Sequence, residues 1–293
     1  MKIFDCFMYF DEEVVLDLRL NALNDFVDYF VIVESKFTHK GDKRDLKFNL
    51  KKFEKFKKKI IYLIHDQEPI NLIKINDPDN DHHAYIMNAA YRENGQRNFI
   101  EKGLDIAEKD DLILISDVDE IPKLENLDFN MIKEKIILFK QDMFYYKFNL
   151  KLPNLIWTGT KACKKKDLVS PQWLRNIKDK NYPIWRLDIF FHEKKFRNIL
   201  KVSNGGWHFS KLNTPEEIVN IMKSYAHYRE FDLNPFTADD LKNIIKNKKI
   251  LYNLDVDKTK NKFDLSQNLT VSSIEELPQY ISENQEKYKE WIV

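Results

Sequence analysis

Leu112-Ile113-Leu114-Ile115-Ser116-Asp117-Val118-Asp119-Glu120-Ile121-Pro122 decides how the rest of this chain is read. An apolar strand runs into two aspartates one residue apart, then into a glutamate. In an α/β protein, ligands bind in the crevice outside the carboxyl ends of the strands. Two carboxylates there form a hard oxygen site suited to Mg²⁺ or Mn²⁺. Left alone, such a cluster repels itself. A cation bridging to a diphosphate, as a nucleotide-sugar presents, relieves that repulsion. Pro122 forces Ile121 into extended geometry, so the segment cannot run straight into a helix. An acidic turn after a strand is the plainer reading. A calcium loop fits poorly, because Pro122 stands where its sixth-position glycine would be.

The segment before this strand, Tyr91-Arg92-Glu93-Asn94-Gly95-Gln96-Arg97-Asn98, is read as part of one long helix over 83–108. From Leu112 to Asp117 the strand advances roughly 17 Å, at about 3.3 Å per residue. A helix running back alongside it needs about 11 or 12 residues at about 1.5 Å each. That brings Gln96 and Arg97 level with Asp117, where Arg97 can reach a diphosphate or a base. The competing reading is a surface pair between Glu93 and Arg97.

Around this pair of elements the first 140 residues alternate strand and helix. Strands are expected over 3–9, 29–33, 59–64 and 112–116, and a helix over 12–26 with Val15, Leu18, Ala22, Leu23 and Phe26 at helical spacing. The second strand is almost continuously apolar, as expected when both faces are covered. The rhythm predicts a mostly parallel, doubly wound (Rossmann-like) sheet flanked by helices. Residues 135–210 change character. Short aromatic strands around Phe139, Tyr145, Tyr146, Trp157, Trp185 and Phe190 predict a mixed or antiparallel extension, with a short helix starting at Ser170-Pro171. From 214 onward the chain reads as helical, with a capping box at Thr214-Pro215-Glu216-Glu217 and a weaker one at Thr237-Ala238-Asp239-Asp240. The expected organisation is a nucleotide-sugar and acceptor unit over 1–210, with a helical extension over 211–293 packed on it as one structural unit.

Composition narrows the function classes. Among 293 residues, Lys plus Arg (48) nearly balances Asp plus Glu (47), so no basic field argues for nucleic acid. The locally basic Lys51–Lys59 run reads as an amphipathic helix with Phe53 and Phe56 inward and a solvated lysine face; contact with an anionic surface is the alternative. No apolar run approaches the roughly 18 residues of a membrane span. Met1-Lys2-Ile3-Phe4-Asp5 reads as a first strand, so no signal peptide is expected. Cys6 and Cys163 do not form a disulfide framework, which suggests a reducing compartment. A cytoplasmic location follows as the expectation, with peripheral membrane contact left open.

Two further stretches hold polar groups suited to a site. Asn204-Gly205-Gly206-Trp207-His208-Phe209-Ser210 carries two of the six glycines side by side. His208 could serve as a third metal ligand beside the two aspartates, or be a core histidine bonded in a turn. His82-His83 reads as a helix start, since adjacent side chains diverge. Glu34, at the end of the second strand, could accept hydrogen bonds from a base or ribose, or belong to an ordinary polar loop. No glycine-rich phosphate loop, Cys–His nucleophile, His-Glu-x-x-His or zinc cluster is present.

Several of these pieces occur together in a recognisable order. Ile3-Phe4-Asp5-Cys6-Phe7, Asp17-Leu18-Arg19-Leu20-Asn21 and Val33-Glu34-Ser35 with Phe37-Thr38-His39-Lys40-Gly41 come first. Arg92-Glu93 with Gln96-Arg97-Asn98 and Ser116-Asp117-Val118-Asp119-Glu120-Ile121-Pro122 follow, then Gly206-Trp207-His208-Phe209-Ser210 and Ser224-Tyr225-Ala226-His227. In this combination the chain resembles the family 17 glycosyltransferases, the group containing the bisecting N-acetylglucosaminyltransferase of N-glycans. The resemblance implies a GT-A-type fold, a UDP-sugar donor (UDP-GlcNAc first), Mn²⁺ or Mg²⁺ dependence and inversion at the anomeric carbon. It carries Asp117 and Asp119 over as the metal and diphosphate motif, His208 as the histidine directed at the metal or diphosphate, and Gln96-Arg97-Asn98 as the donor-side helix motif.

Members acting in the secretory pathway carry a membrane anchor and stem, which this sequence does not show. A glycan or glycolipid acceptor is therefore the expectation. An inverting transfer needs a base for the acceptor hydroxyl. Asp188, Asp142 and Glu193 are the candidates, Asp188 first. Tyr145, Tyr146, Trp157 and Trp185 are candidate sugar-stacking rings. A metal-dependent phosphohydrolase with Asp117 as nucleophile, and a non-catalytic carbohydrate-binding protein, are the alternatives.

Overall fold

The fold was analysed in a computed structural model, which describes residues 1–77, 80–182, 185, 195–224, 231, 235–251 and 267–293. The parallel half of the sheet comes from β1 (Ile3–Tyr9), β2 (Tyr29–Ser35), β3 (Ile60–His65) and β4 (Leu112–Asp117), in the spatial order β3-β2-β1-β4. The chain leaves β1 toward β2 on one side, while β4 lies on the other. The order therefore reverses at β1, and the crevice lies at the carboxyl ends of β1 and β4.

Alternation along β1 sorts its side chains between two cores. Phe7 and Tyr9 pack with α1 (Glu13–Leu23), whereas Phe4 and Cys6 face the layer with Ile100 and Leu104. β4 divides likewise, Leu112 and Leu114 to one side and Ile113 and Ile115 to the other. Burial on both faces accounts for the near-continuous apolar runs of these strands.

Beyond β4 the sheet becomes mixed, as expected of the aromatic stretch over 135–210, but these strands join the same sheet, so the sheet as a whole is mixed where a mostly parallel one was expected. β7 (Leu150–Lys164) runs antiparallel to β4 and to β6 (Ile136–Tyr145). β8 (Ile199–Val202) and β9 (Gly206–Ser210) run parallel to β6, and β5 (Glu120–Pro122) pairs antiparallel with β9. β10 (Thr270–Val271) adds to β7. The physical reason is the connection: β6 and β7 join through a short turn, and only antiparallel strands can be joined so tightly.

Helix boundaries also depart from the periodicity. The helix expected over 83–108 is α2 (His82–Asn98), followed by a 3₁₀ segment, Phe99–Leu104. At Gly103 a β-carbon would lie 2.4 Å from Val31 Cγ1, so this segment packs against β2 more closely than a side chain would allow. The Lys51–Lys59 helix is a 3₁₀ segment, Leu50–Phe56, kinked at Phe53, although Phe53 and Phe56 are buried as expected.

Ser170 Oγ caps α3 (Pro171–Asn176) by accepting the Trp173 amide. Both capping boxes form, at the starts of α4 (Pro215–Ser224) and α5 (Ala238–Lys246). α4 and α5 supply Ile218, Met222 and Leu241 to a third core against Met143 and Tyr145. α6 (Gln279–Glu283) and the C-terminal residues return to α1, where Tyr288 Oη donates to Asp17. Among the described residues no helix is long and apolar enough to cross a membrane. Cys6 and Cys163 are free, buried thiols.

Candidate donor site at the Asp-x-Asp turn

β4 ends at Asp117 and β5 starts at Glu120, so Val118 and Asp119 form a tight turn facing the crevice. Its shape is held from beneath by Arg19 of α1, a fully buried side chain. Nη1 of Arg19 donates to the carbonyls of Asp117, Val118 and Glu120, and Nη2 to Ser116 Oγ. Asp5 of β1, also fully buried, balances this charge through two hydrogen bonds of 2.8 and 2.6 Å to Nε and Nη2. Glu120 turns inward and accepts the Asp117 amide at 2.9 Å. The buried glutamate thus serves the turn, not a ligand.

Two arginines converge on the first aspartate. Arg97 Nη2 lies 3.0 Å from Asp117 Oδ1, and Arg175 Nη2 lies 2.8 Å from Oδ2. Arg97 is also bonded to Glu93 and Gln172. Arg175 also bridges to Glu120 and to the Gly159 carbonyl. Burial alone would raise the Asp117 carboxyl; the guanidiniums of Arg175 and Arg97 outweigh that and hold it well below the usual carboxylate range. The second aspartate has a different partner: Asp119 Oδ2 is 3.2 Å from His208 Nε2. Burial lowers the His208 imidazolium, but Asp119 overcomes this and its pKa is raised. Trp157 lies against His208, ring centroids 5.3 Å apart, and is fixed by its Nε1 donating to Glu120 Oε1 at 2.7 Å.

A divalent cation fits part of this arrangement. Two ligands at neighbouring corners of an octahedron with bonds of about 2.1 Å stand about 3 Å apart, close to the separation of Asp119 and His208. His208 Nδ1 is buried and makes no hydrogen bond, so the resting pair carries its proton on Nε2, and a cation there would displace it. Among the described residues no three His, Cys, Asp or Glu side chains cluster as a metal cage. The set expected from sequence, Asp117 with Asp119 and His208, is divided: Asp117 faces arginines, and Asp119 faces His208. A cation here would complete its shell from phosphate oxygens and water, a common arrangement for Mg²⁺.

Other expected residues fall as follows. Glu34 is fully buried, and its carboxylate is engaged by the Lys47 and Phe48 amides, Tyr62 and Arg44. Gln96 is buried and donates to the Val33 carbonyl, tying α2 to the end of β2. Asp142 is ion-paired with Lys151 at 2.8 Å. Asp188 and Glu193 lie outside the described residues, as do Phe190 and His227. Tyr145 and Tyr146 are buried and cannot stack on a sugar, whereas Trp157 is half-buried and Trp185 exposed.

Arg19, Arg175 and His39 are the residues at the turn to which the sequence reading gave no role, whereas Trp157 was among its candidate stacking rings. His39 lies beside Gln96, where burial lowers its pKa against the pull of Glu93 and Asp117. Two shallow grooves elsewhere, about 310 and 290 Å³, include neither aspartate of the turn.

A family model described as glycosyltransferase family 17 matches residues 1–292. The human β-1,4-mannosyl-glycoprotein 4-β-N-acetylglucosaminyltransferase is 26% identical over 219 residues, a match covering 70% of this chain and 39% of the human protein. The chain thus corresponds to about two fifths of that relative's length.

Proposed function

This chain belongs to glycosyltransferase family 17, and from that membership we propose that it is a metal-dependent, inverting transferase of the GT-A type. It moves N-acetylglucosamine from UDP-GlcNAc to a hydroxyl of a glycan or glycolipid. The observation that carries the reading is the Asp117–Asp119 turn at the β1/β4 crevice with Arg97 and Arg175 folded over it. The human relative's name supports N-acetylglucosamine as the transferred sugar. The two free thiols support a reducing, cytoplasmic setting.

Inverting transfer is a single in-line displacement in which negative charge grows on the departing diphosphate. Arg97 and Arg175 are placed to receive that charge, exchanging part of their pairing with Asp117 for phosphate oxygens. Asp119 and His208 would hold Mn²⁺ or Mg²⁺, whose positive charge would neutralise the leaving group. Trp157, fixed by Glu120, offers a ring face for a pyranose beside that pair. The base acts from the acceptor side, where Asp142, Asp188 and Glu193 remain the proposed candidates. Both Asp117 oxygens face arginines, which weighs against Asp117 as the nucleophile of a phosphohydrolase.

Donor turnover tests the proposal. Metal-stripped protein is incubated with UDP-GlcNAc, UDP-Gal or UDP-Glc and a panel of mannosylated glycan and glycolipid acceptors, and UDP release is followed. Release should require added Mn²⁺ or Mg²⁺ and be greatest with UDP-GlcNAc. Equal release in EDTA, or release of inorganic phosphate in place of UDP, would contradict it.

A further inference from the structure

We propose that Lys161 is a positioning residue for Arg175: its ammonium grips the end of α3 so that the arginine is delivered to the Asp117–Glu120 turn. The inference rests on the donor reading, in which Arg175 serves the diphosphate. Lys161 lies near the C-terminal end of β7, in register with Ile115 of β4 and Leu138 of β6, both buried. The residue itself is 7% exposed, and Leu174 and Ile177 at the end of α3 are buried as well.

In this apolar setting Nζ donates to two carbonyls, Arg175 O and Ile177 O at 2.6 Å. A helix end leaves its last carbonyls without partners. The six-residue α3 closes with the Ile177 amide on the Leu174 carbonyl, and Lys161 takes the Arg175 and Ile177 carbonyls beyond it. Arg175 is thereby fixed at both ends. Its carbonyl is held by Lys161, and its guanidinium is held by Asp117, Glu120 and Gly159 O.

Stability does not explain a lysine here. A buried ammonium is costly, and an apolar side chain of the same volume is often tolerated as well or better. Burial, with Arg175 and more weakly Arg97 as like charges, pulls the Lys161 ammonium down to about 8, while Glu120 and Asp179 oppose the fall. The charged grip is therefore present at neutral pH and fades as pH rises through about 8. Folding linkage runs the other way: with the folded pKa below the unfolded one, this lysine's burden on stability lessens over the same rise. Activity that falls where the fold is relieved would separate positioning from a structural role.

The test compares Lys161→Met, Lys161→Arg and Arg175→Gln in the full chain with Mg²⁺, UDP-GlcNAc and whichever panel acceptor gives the greatest UDP release, from pH 6.5 to 9. Lys161→Met should fold and lose about tenfold to a hundredfold in kcat/KM for the donor, the scale of a small misplacement of a catalytic group. Wild type should lose activity through about pH 8. Lys161→Arg should keep neutral-pH activity and lose that alkaline limb.

If Lys161→Met does not fold, the Lys161→Arg profile decides, and an alkaline limb unchanged in it overturns the inference. Wild-type constants in Lys161→Met, with Arg175→Gln impaired, overturn this inference alone. Wild-type constants in Arg175→Gln overturn the donor reading and the inference with it.

Discussion

Asp119→Asn should abolish transfer while the protein stays folded. The backbone of the turn does not depend on this carboxylate. Arg19 holds the carbonyls of Asp117, Val118 and Glu120, and the Phe209 amide donates to the Asp119 carbonyl at 2.9 Å. Asparagine preserves the shape and the contact with His208 but removes the negative charge proposed to bind the cation. Removing one preorganised charge-stabilising group from an active site typically costs about 10²–10³ in rate, and the loss here should reach at least that.

A pH-dependent signature accompanies it. The His208 pKa is raised in the fold by Asp119, so the pair contributes stability below the unfolded histidine pKa and loses it as pH rises through the folded value. Melting temperatures of wild type and Asp119→Asn should therefore separate at pH 6, with the variant lower, and approach each other as the pH is raised. Turnover retained in Asp119→Asn would show that the cation, if used, is held elsewhere.

Arg19→Met should have the largest effect on stability of any single substitution near the site. It strands the fully buried Asp5 carboxylate and leaves three turn carbonyls and Ser116 Oγ without their donor. Breaking one partner of a buried ion pair costs about 3–5 kcal/mol. At about 2–4 °C per kcal/mol for chains of 150–250 residues, the melting temperature should fall by roughly 6–20 °C. Asp5→Leu combined with Arg19→Met should recover part of the stability, since the stranded charge is gone. It should not recover transfer, because nothing then shapes the Asp-x-Asp turn. Thermal melts of the single and double variants check this, and a melting temperature within 2 °C of wild type for Arg19→Met would contradict it.

Both variants bear on what could be read from sequence. The end of β4 and the level of Arg97 were legible because strand rise and helix rise are fixed quantities, and their ratio placed Arg97 against Asp117 even though α2 stops at Asn98. Arg19 and Arg175 were not legible as site residues. Periodicity scores an arginine as solvent-facing, yet Arg19 sits on the inward face of α1, and Arg175 reaches Asp117 from 58 residues away along the chain.

Glu34 was legible as a strand-end carboxylate but its partners were not. Its place at a strand end suggested a ligand, but a charged group there can equally satisfy loop amides, and it does. The aromatic stretch over 135–210 announced a mixed or antiparallel extension, but not that β7 would pair directly with β4 and so join it to the parallel strands in one sheet. The base stayed illegible because an acceptor-side carboxylate has no spacing signature.

Calorimetric titration of metal-stripped protein with UDP, in Mn²⁺ and in EDTA, tests the central claim most directly: that the Asp-x-Asp turn with its arginines holds a nucleoside diphosphate through a cation. Saturable binding in Mn²⁺, at least tenfold weaker in EDTA and in Asp119→Asn, is the expected result. No binding at millimolar UDP in Mn²⁺, or binding of equal strength in EDTA, would contradict it.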